Sequence, residues 1–279
     1  MTTRRNFITQ TITGAAAFAA LPAIDAFAID ANPNEVPLLR FALMSDLHYG
    51  QPGTKGKEDL GNMINWLNDN HAKDNYDFVI VNGDLVHDQP ELLSEVKSEY
   101  FDKLKCPHYA VPGNHDHADA ALWKKVFGYE DNFVIEKRGV GLVFGNTTDV
   151  TGGVIGPDIS FLKRSLDAFA DKKVVFVVLH VPPARTENSS YDSPETVKLL
   201  NSYPNVKAVF CGHDHQQDGQ KQMGNIPCFF DSHVGGNWGT DYRGYREVSV
   251  WFNLSITTTQ VNPGLSPFIN SQKLNAPGK

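Results

Sequence analysis

The sequence predicts an α/β fold built on a largely parallel sheet. Short apolar runs typical of buried strands alternate with segments whose apolar residues recur at helical spacing. Five of the apolar runs end in a cluster of Gly, Asp, Asn or His residues. Because open α/β sheets bind ligands at the carboxyl edge of their strands, we expect these five clusters to meet at one site.

The predicted elements follow from apolar patterning. Strands that run into the five polar clusters are predicted at 38–45, 78–81, 108–111, 174–179 and 206–211. Two further strands are predicted near 133–136 and 142–144. Helices are predicted at about 57–70, 90–104, 120–127 and 159–169, and another begins at Ser193 and Pro194. Residues 227–261 are rich in strand-forming residues and have no helical period.

The overall composition is that of an ordinary globular domain. Of the 279 residues, 41% are hydrophobic and 20% are charged, which excludes a disordered chain and a polytopic membrane protein. The formal net charge of −7 provides no basic surface, so we expect no nucleic-acid partner. Three cysteines are too few for a disulfide scaffold, and we expect buried, reduced thiols.

The first 28 residues are predicted to be a signal peptide. Arg4 and Arg5 precede a weakly apolar stretch, 12–21, and Ala26-Phe27-Ala28 provides the small-x-small pattern that suits a signal peptidase. The paired arginines resemble a twin-arginine signal, with an ordinary secretory signal as the alternative. The stretch is shorter than the ~20 residues that span a bilayer, so we expect no stable membrane anchor.

These features predict a periplasmic or secreted protein that meets the twin-arginine export machinery only transiently. Residues 29–37 contain two prolines and two asparagines and are predicted to form a flexible lead-in. Residues 38–279 are then expected to form a single domain.

The polar side chains at the five strand ends are of the types that bind divalent metals. The candidate ligands are Asp46, His48, Asp84, Asn114, His180, His213 and His215. An isolated Asp-x-His or Gly-Asp pair is usually incidental, but five such clusters at successive strand ends favour a metal site. Seven ligands exceed the needs of one ion and suit two ions about 3.5–4 Å apart that share Asp84.

The ordered motifs Asp-x-His, Gly-Asp, Gly-Asn-His-Asp, His and Gly-His-x-His resemble those of the calcineurin-like metallophosphoesterase family. The resemblance extends from Phe41 to His215 and, more loosely, to Phe252. It implies a four-layer α/β/β/α sandwich with a dinuclear metal centre. It assigns one ion to Asp46, His48, Asp84 and His215, and the other to Asp84, Asn114, His180 and His213.

The resemblance also implies that His115 lies over the phosphate, outside the metal ligands, where it stabilises charge or protonates the leaving oxygen. We predict His115 and Asp116 as catalytic residues, although either Asp88 or Asp116 can be the partner of His115. His48 and His87 stand where purple acid phosphatases have Gly and a metal-binding Tyr, which indicates the non-purple branch. His87 also departs from the Asp or Asn often found at its position.

The predicted function is an exported phosphohydrolase that cleaves small phosphomonoesters or phosphodiesters by metal-bound hydroxide. The cofactors are two divalent or mixed-valence ions among Mn, Fe and Zn. The alternatives are a pyrophosphatase acting on nucleotide-sugar-like diphosphates and a non-catalytic metal-binding protein. Arg185 is a candidate for gripping a second phosphate, or a solvated loop arginine. His233 is a candidate for a substrate contact at the rim, or part of an ordinary turn.

Overall fold

The structure is a computed structural model that describes residues 36–264 and 269–275. The predicted signal peptide, 1–28, and residues 29–35 of the predicted lead-in lie outside the described residues. Within the described part of the chain, no helix is both long enough and apolar enough to cross a membrane.

The described residues form twelve strands and five α-helices. The strands are β1 (Leu39–Met44), β2 (Phe78–Asn82), β3 (His108–Val111), β4 (Phe133–Lys137), β5 (Val140–Gly145), β6 (Val174–Leu179), β7 (Val206–Cys211), β8 (Gln220–Met223), β9 (Ile226–Phe230), β10 (Tyr245–Val250), β11 (Ile256–Val261) and β12 (Asn270–Leu274). The helices are α1 (Gly56–Asp74), α2 (Leu93–Glu99), α3 (Ala120–Phe127), α4 (Ile159–Ala168) and α5 (Pro194–Asn201).

The strands form two mixed sheets rather than one largely parallel sheet. The first has the order β12-β11-β10-β1-β2-β3, and the second has the order β4-β5-β6-β7-β9-β8. The β1, β2 and β3 strands are parallel, as are β5, β6, β7 and β9. Antiparallel strands extend both sheets: β4 pairs with β5 and β8 with β9 in the second sheet, and β10, β11 and β12 continue the first sheet beyond β1.

Alternating side chains of the central strands separate the layers. Phe41 and Leu43 of β1 face the second sheet, where they pack with residues such as Phe176. Ala42 and Met44 face the opposite way, into a core that includes the apolar side of α1. On the outer face of the second sheet, a third core packs α4 against β6 and β7. The predicted α/β class and four-layer arrangement are confirmed.

The predicted helix over 90–104 is the clearest local error. The structure has a 3-10 turn at Pro90–Leu92, α2 at Leu93–Glu99, and a second 3-10 turn at Phe101–Lys103. Tyr100, with φ −130° and ψ −57°, interrupts the helix. Phe101, directly after the interruption, is completely buried, and Tyr100 packs partly buried against the same core.

Candidate metal centre

The seven candidate ligands meet at the carboxyl ends of five strands that belong to both sheets. β1, β2 and β3 of one sheet and β6 and β7 of the other end at the same edge of the sandwich. Backbone hydrogen bonds tie these ends together: the N–H of Asp46 donates to Gly83 O at 3.0 Å, and that of Gly212 donates to His180 O at 3.0 Å. The predicted convergence of the five clusters is therefore confirmed.

Unusual backbone conformations turn the ligands out of their strands. Asp46, His48, Asp84 and His213 all have positive φ, between 44° and 67°. Such residues cost roughly 1–2 kcal/mol each relative to ordinary conformations, and they concentrate at functional sites. Four such residues in one cluster indicate that the contacts of the folded site hold the backbone in conformations that these residues rarely adopt by themselves.

Two glycines allow the ligand loops to approach one another. A Cβ at Gly83, which has φ +84°, would lie 2.3 Å from Nδ1 of His180. A Cβ at Gly113 would lie 2.2 Å from Oδ1 of Asp84. The Gly-Asp and Gly-Asn-His-Asp motifs therefore contain glycine because any side chain would displace a candidate ligand.

One group of ligand atoms consists of Asp46, His48, Asp84 and His215, all buried. The Nε2 atom of His215 lies 3.1 Å from Oδ1 of Asp46 and 3.0 Å from Nε2 of His48. The Nε2 atom of His48 lies 3.6 Å from Oδ2 of Asp84. These separations match those between donor atoms that share one ion.

A second group consists of Asp84, His180 and His213, with Asn114 beside it. Oδ2 of Asp84 lies 3.3 Å from Nε2 of His180, and Nδ1 of His213 lies 2.9 Å from Oδ1 of Asn114. His180 is fully buried, and apart from its ion pair with Asp84 its Nε2 has no hydrogen-bond partner among the described residues. A buried nitrogen directed at a candidate bridging carboxylate fits a metal ligand. Asp84 belongs to both groups, as a bridging ligand must.

Burial and neighbouring charges shift the pKa values of these side chains in opposite directions. Burial raises the pKa of Asp46, but attraction to His215 and His180 outweighs it and lowers that pKa to about 2. Burial lowers the pKa of His180, but the nearby Asp84 carboxylate raises it to about 10. Burial lowers the pKa of His48 to about 3. In the metal-free protein at neutral pH, His180 therefore holds a proton that a metal must displace.

His115 has Asp88, and not Asp116, as its side-chain partner. Nδ1 of His115 lies 2.7 Å from Oδ1 of Asp88, which also lies 3.1 Å from Nε2 of His117. The backbone N–H of His115 donates to Oδ1 of Asp84 at 2.8 Å. His115 therefore lies beside the ligands while its ring remains partly exposed.

Asp116 occupies a buried position that joins two ligand loops. Its carboxylate accepts hydrogen bonds from the backbone N–H of Val86 at 2.9 Å and of Gly113 at 2.7 Å. Burial and the neighbouring Asp84 raise its pKa to about 7. The structure does not bring Asp116 to the His115 imidazole, so it does not support the catalytic role predicted for Asp116.

The two predicted substrate contacts lie in different surroundings. His233 is completely buried, and its ring stacks on the ring of His215 at 4.9 Å. It therefore supports a ligand from behind instead of lining the rim. Arg185 is exposed in the loop after β6 and has no hydrogen bond or ion pair with the described residues. Its phosphate contact stays a prediction.

Trp238 covers the ligand group, a feature that the sequence pattern did not specify. Its indole stacks on His215 with 4.5 Å between centroids and an 8° interplanar angle, and it lies 4.8 Å from His48. Beside it is a cleft of about 570 Å³ lined by 53–55, Asp59 and 236–243. The aromatic and glycine residues of 237–239 and 242–245 are compatible in sequence both with a substrate-facing loop and with packing of the second sheet.

A buried hydrogen-bonded chain lies behind Asp46. The Ser45 hydroxyl is 2.7 Å from Oδ1 of Asp231 and also contacts Oδ2 of Asp46. Burial raises the pKa of Asp231 well above its ordinary value. A protonated Asp231 can donate to Ser45, and Ser45 can then donate to Asp46, which leaves Asp46 as the anionic ligand.

Comparison with known proteins places the fold and motifs in a defined family. Residues 39–217 match the calcineurin-like phosphoesterase family. A probable glycerophosphodiester phosphodiesterase of Arcobacter nitrofigilis is 29% identical over 166 residues, which cover 54% of this chain and 60% of that protein. A probable cyclic nucleotide phosphodiesterase of Coxiella burnetii is 24% identical over 191 residues, 63% of this chain and 76% of that protein.

Solved structures show the same fold at low sequence identity. A dimetal phosphatase from Danio rerio superposes with a TM-score of 0.67 at 10% identity, over 86% of this chain and all of that one. A purple acid phosphatase from yellow lupin gives 0.63 at 10% identity, over 85% of this chain and 53% of that one. With the five motifs gathered into one cluster and the family match over residues 39–217, the chain belongs to the calcineurin-like phosphoesterase family.

Proposed function

We propose that this protein is a phosphohydrolase that holds two divalent ions, among Mn, Fe and Zn, and acts on phosphodiesters. The observation that carries the proposal is the position of Asp84, whose carboxylate belongs to both groups of ligand atoms. Asp46, His48 and His215 would complete one ion site with it. Asn114, His180 and His213 would complete the other.

The ions, when bound, supply Lewis acidity to the phosphoryl oxygens and lower the pKa of a water molecule that attacks phosphorus. The protein's own contribution beyond the ligands is His115. Nδ1 of His115 donates to the Asp88 carboxylate, and in the doubly protonated form of His115 the second proton, on Nε2, is the one transferred to the leaving oxygen. His115 and Asp88 thus form a proton-donating pair beside the metal centre.

The preference for diesters rests on two observations. The relatives from Arcobacter nitrofigilis and Coxiella burnetii are named as phosphodiesterases, although the chain spans only 60% of the first of them. The cleft beside Trp238 offers about 570 Å³ next to the ligand group, which is room for the organic portion of a diester.

Two finer assignments belong to the same proposal. His87 stands where purple acid phosphatases have tyrosine, so we place the chain in the non-purple branch and expect no Tyr-to-iron charge-transfer colour. Arg4 and Arg5 support export through the twin-arginine route to the periplasm or the medium.

The test is metal-dependent hydrolysis of bis(p-nitrophenyl) phosphate and p-nitrophenyl phosphate. Protein stripped with a chelator should be inactive and should regain activity with Mn²⁺, Zn²⁺ or Fe²⁺, with the diester cleaved faster. Asp84→Asn should disturb both ions, whereas Asp102→Asn, which removes an exposed carboxylate paired with Lys97, should leave metal content unchanged.

Three outcomes would contradict the proposal. Full activity after stripping would exclude a metal-dependent reaction. Two retained ions and full activity in Asp84→Asn would show that Asp84 is no bridge. Two tightly bound ions with no hydrolysis of any phosphoester, in a panel that includes diphosphates, would favour a non-catalytic metal-binding protein.

A further inference from the structure

His87 lies against a candidate ligand without belonging to either of the two ligand groups described above. Its Nδ1 is 3.0 Å from Nδ1 of His48, and the two rings meet edge to face at 67°. The loops that carry them are joined by backbone hydrogen bonds: His87 N–H donates to Tyr49 O at 3.0 Å, and Tyr49 N–H donates to Leu85 O at 3.2 Å. The contact between the imidazoles is therefore built into the fold.

The proton in this contact can be assigned from the other nitrogen of His48. Two imidazole nitrogens at 3.0 Å require a proton on one and a lone pair on the other. Nε2 of His48 faces Asp84 and His215 in the ligand group, and a metal-binding nitrogen must be unprotonated. The proton of neutral His48 is then on Nδ1, so His87 is the acceptor.

The same assignment orients His87. With its Nδ1 accepting, its own proton is on Nε2, on the side of Asp88, whose Oδ2 is 4.0 Å away. The ring of His87 also stacks on the ring of His115, with 4.8 Å between centroids and 16° between planes. One imidazole thus contacts a metal ligand, the candidate proton donor and the carboxylate that orients that donor.

We propose that His87 is a positioning residue that accepts a hydrogen bond from Nδ1 of His48 and holds His48 in the tautomer and orientation that bind metal. Metal-binding histidines usually donate their second N–H to a carboxylate, a backbone carbonyl or water, and loss of that partner weakens metal binding. In this chain a neutral imidazole takes that place. The inference rests on the proposed dinuclear site.

The test compares two substitutions of His87 by zinc titration of the chelator-stripped full-length protein. His87→Leu removes the acceptor, and we expect the affinity for one of the two zinc ions to fall by about 10- to 100-fold. His87→Asn places an amide oxygen near the position of Nδ1 and should stay within about threefold of the wild type, since it restores an acceptor. The affinity for the other ion should not change.

His71→Leu is the matched control. It also removes a partly buried imidazole, but one in the last turn of α1 beside Tyr76. Tyr76 precedes the amino end of β2, whereas the candidate ligands follow the carboxyl ends of the strands. Its zinc affinities should equal those of the wild type. Far-UV circular dichroism of the stripped variants establishes that each is folded.

Several outcomes would overturn the inference. His87→Leu with wild-type zinc affinities, or His87→Asn as weak as His87→Leu, would show that hydrogen-bond acceptance is not what His87 provides. A third zinc ion, bound by the wild type and lost in both variants, would make His87 a ligand, in the group that His48, His87 and His115 can form. Failure of the wild type and His71→Leu to bind zinc would instead refute the dinuclear site itself.

Discussion

His115→Asn separates metal binding from proton transfer. The side chain of His115 contacts Asp88 at 2.7 Å and belongs to neither of the two ligand groups that share Asp84, so the variant should retain both ions. General acid catalysis contributes roughly 10²–10⁴-fold, which corresponds to about 3–5 kcal/mol of activation free energy. The loss should approach this range only where the leaving group needs a proton.

The assay is a comparison of kcat/KM on two matched diesters. An alkyl diester releases an alkoxide, which needs the proton, whereas a p-nitrophenyl diester releases a phenolate whose conjugate acid has a pKa of about 7. His115→Asn should therefore lose much more rate on the alkyl diester. Asp88→Asn should show the same selectivity in weaker form, because its amide oxygen can still accept from Nδ1 of His115 but the negative charge beside the imidazole is lost.

Two results would refute this reasoning. Equal losses on both diesters would mean that His115 stabilises charge on the phosphoryl oxygens and donates no proton. Loss of metal from His115→Asn, measured by elemental analysis, would mean that His115 is itself a ligand.

Three further predictions concern protons, thiols and export. Because attraction to Asp84 raises the pKa of His180 to about 10, the metal-free protein carries this proton at pH 7. Metal binding should then release about one proton from His180 at pH 7 and progressively less as the pH rises through about 10, and calorimetric enthalpies that do not depend on the buffer would contradict this. The three buried cysteines should resist alkylation in the folded protein, and all three should react after denaturation without reductant. Lysine at both Arg4 and Arg5 should leave an uncleaved precursor inside the cell, and unchanged export would exclude the twin-arginine route.

The alkylation measurement also shows whether Cys211 and Cys228 are free thiols or are joined by a disulfide bond. The Sγ atoms of Cys211 and Cys228 are 2.8 Å apart on neighbouring strands of the second sheet. Both are buried, and burial raises the pKa of the Cys211 thiol well above its usual value. Recovery of a single reactive thiol after denaturation would reveal a bond between them.

The sequence by itself identified the candidate ligands and the main strands, but its patterning predicted one largely parallel sheet, and the four layers were implied only by the family resemblance. Side chains alternate along β1, so Phe41 and Leu43 had to face one core and Ala42 and Met44 the other. Parallel strands with crossovers place all their carboxyl ends at one edge. Local periodicity and chain order therefore carry enough information to bring Asp46, Asp84, His180 and the other ligands together.

Only the tertiary structure decided which side chains surround those ligands. The choice of Asp88 over Asp116 depends on the direction of two loops after β2 and β3. Asp88 has φ +56° and Asp116 has buried backbone partners, and no periodic pattern encodes either property. For His233, the sequence fits a substrate contact at the rim of the site and an ordinary turn equally well. Only the folded segment after β9 places its ring against the ring of His215.

The physical reason is the range of the interactions. Strands and helices follow from repeating burial over a few neighbouring residues, which the sequence displays directly. The contacts of His87 with His48 and of Trp238 with His215 join loops 39 and 23 residues apart. The geometry of these contacts depends on loop conformations that are fixed by many interactions among the candidate ligand loops. These interactions form only when both sheets are folded.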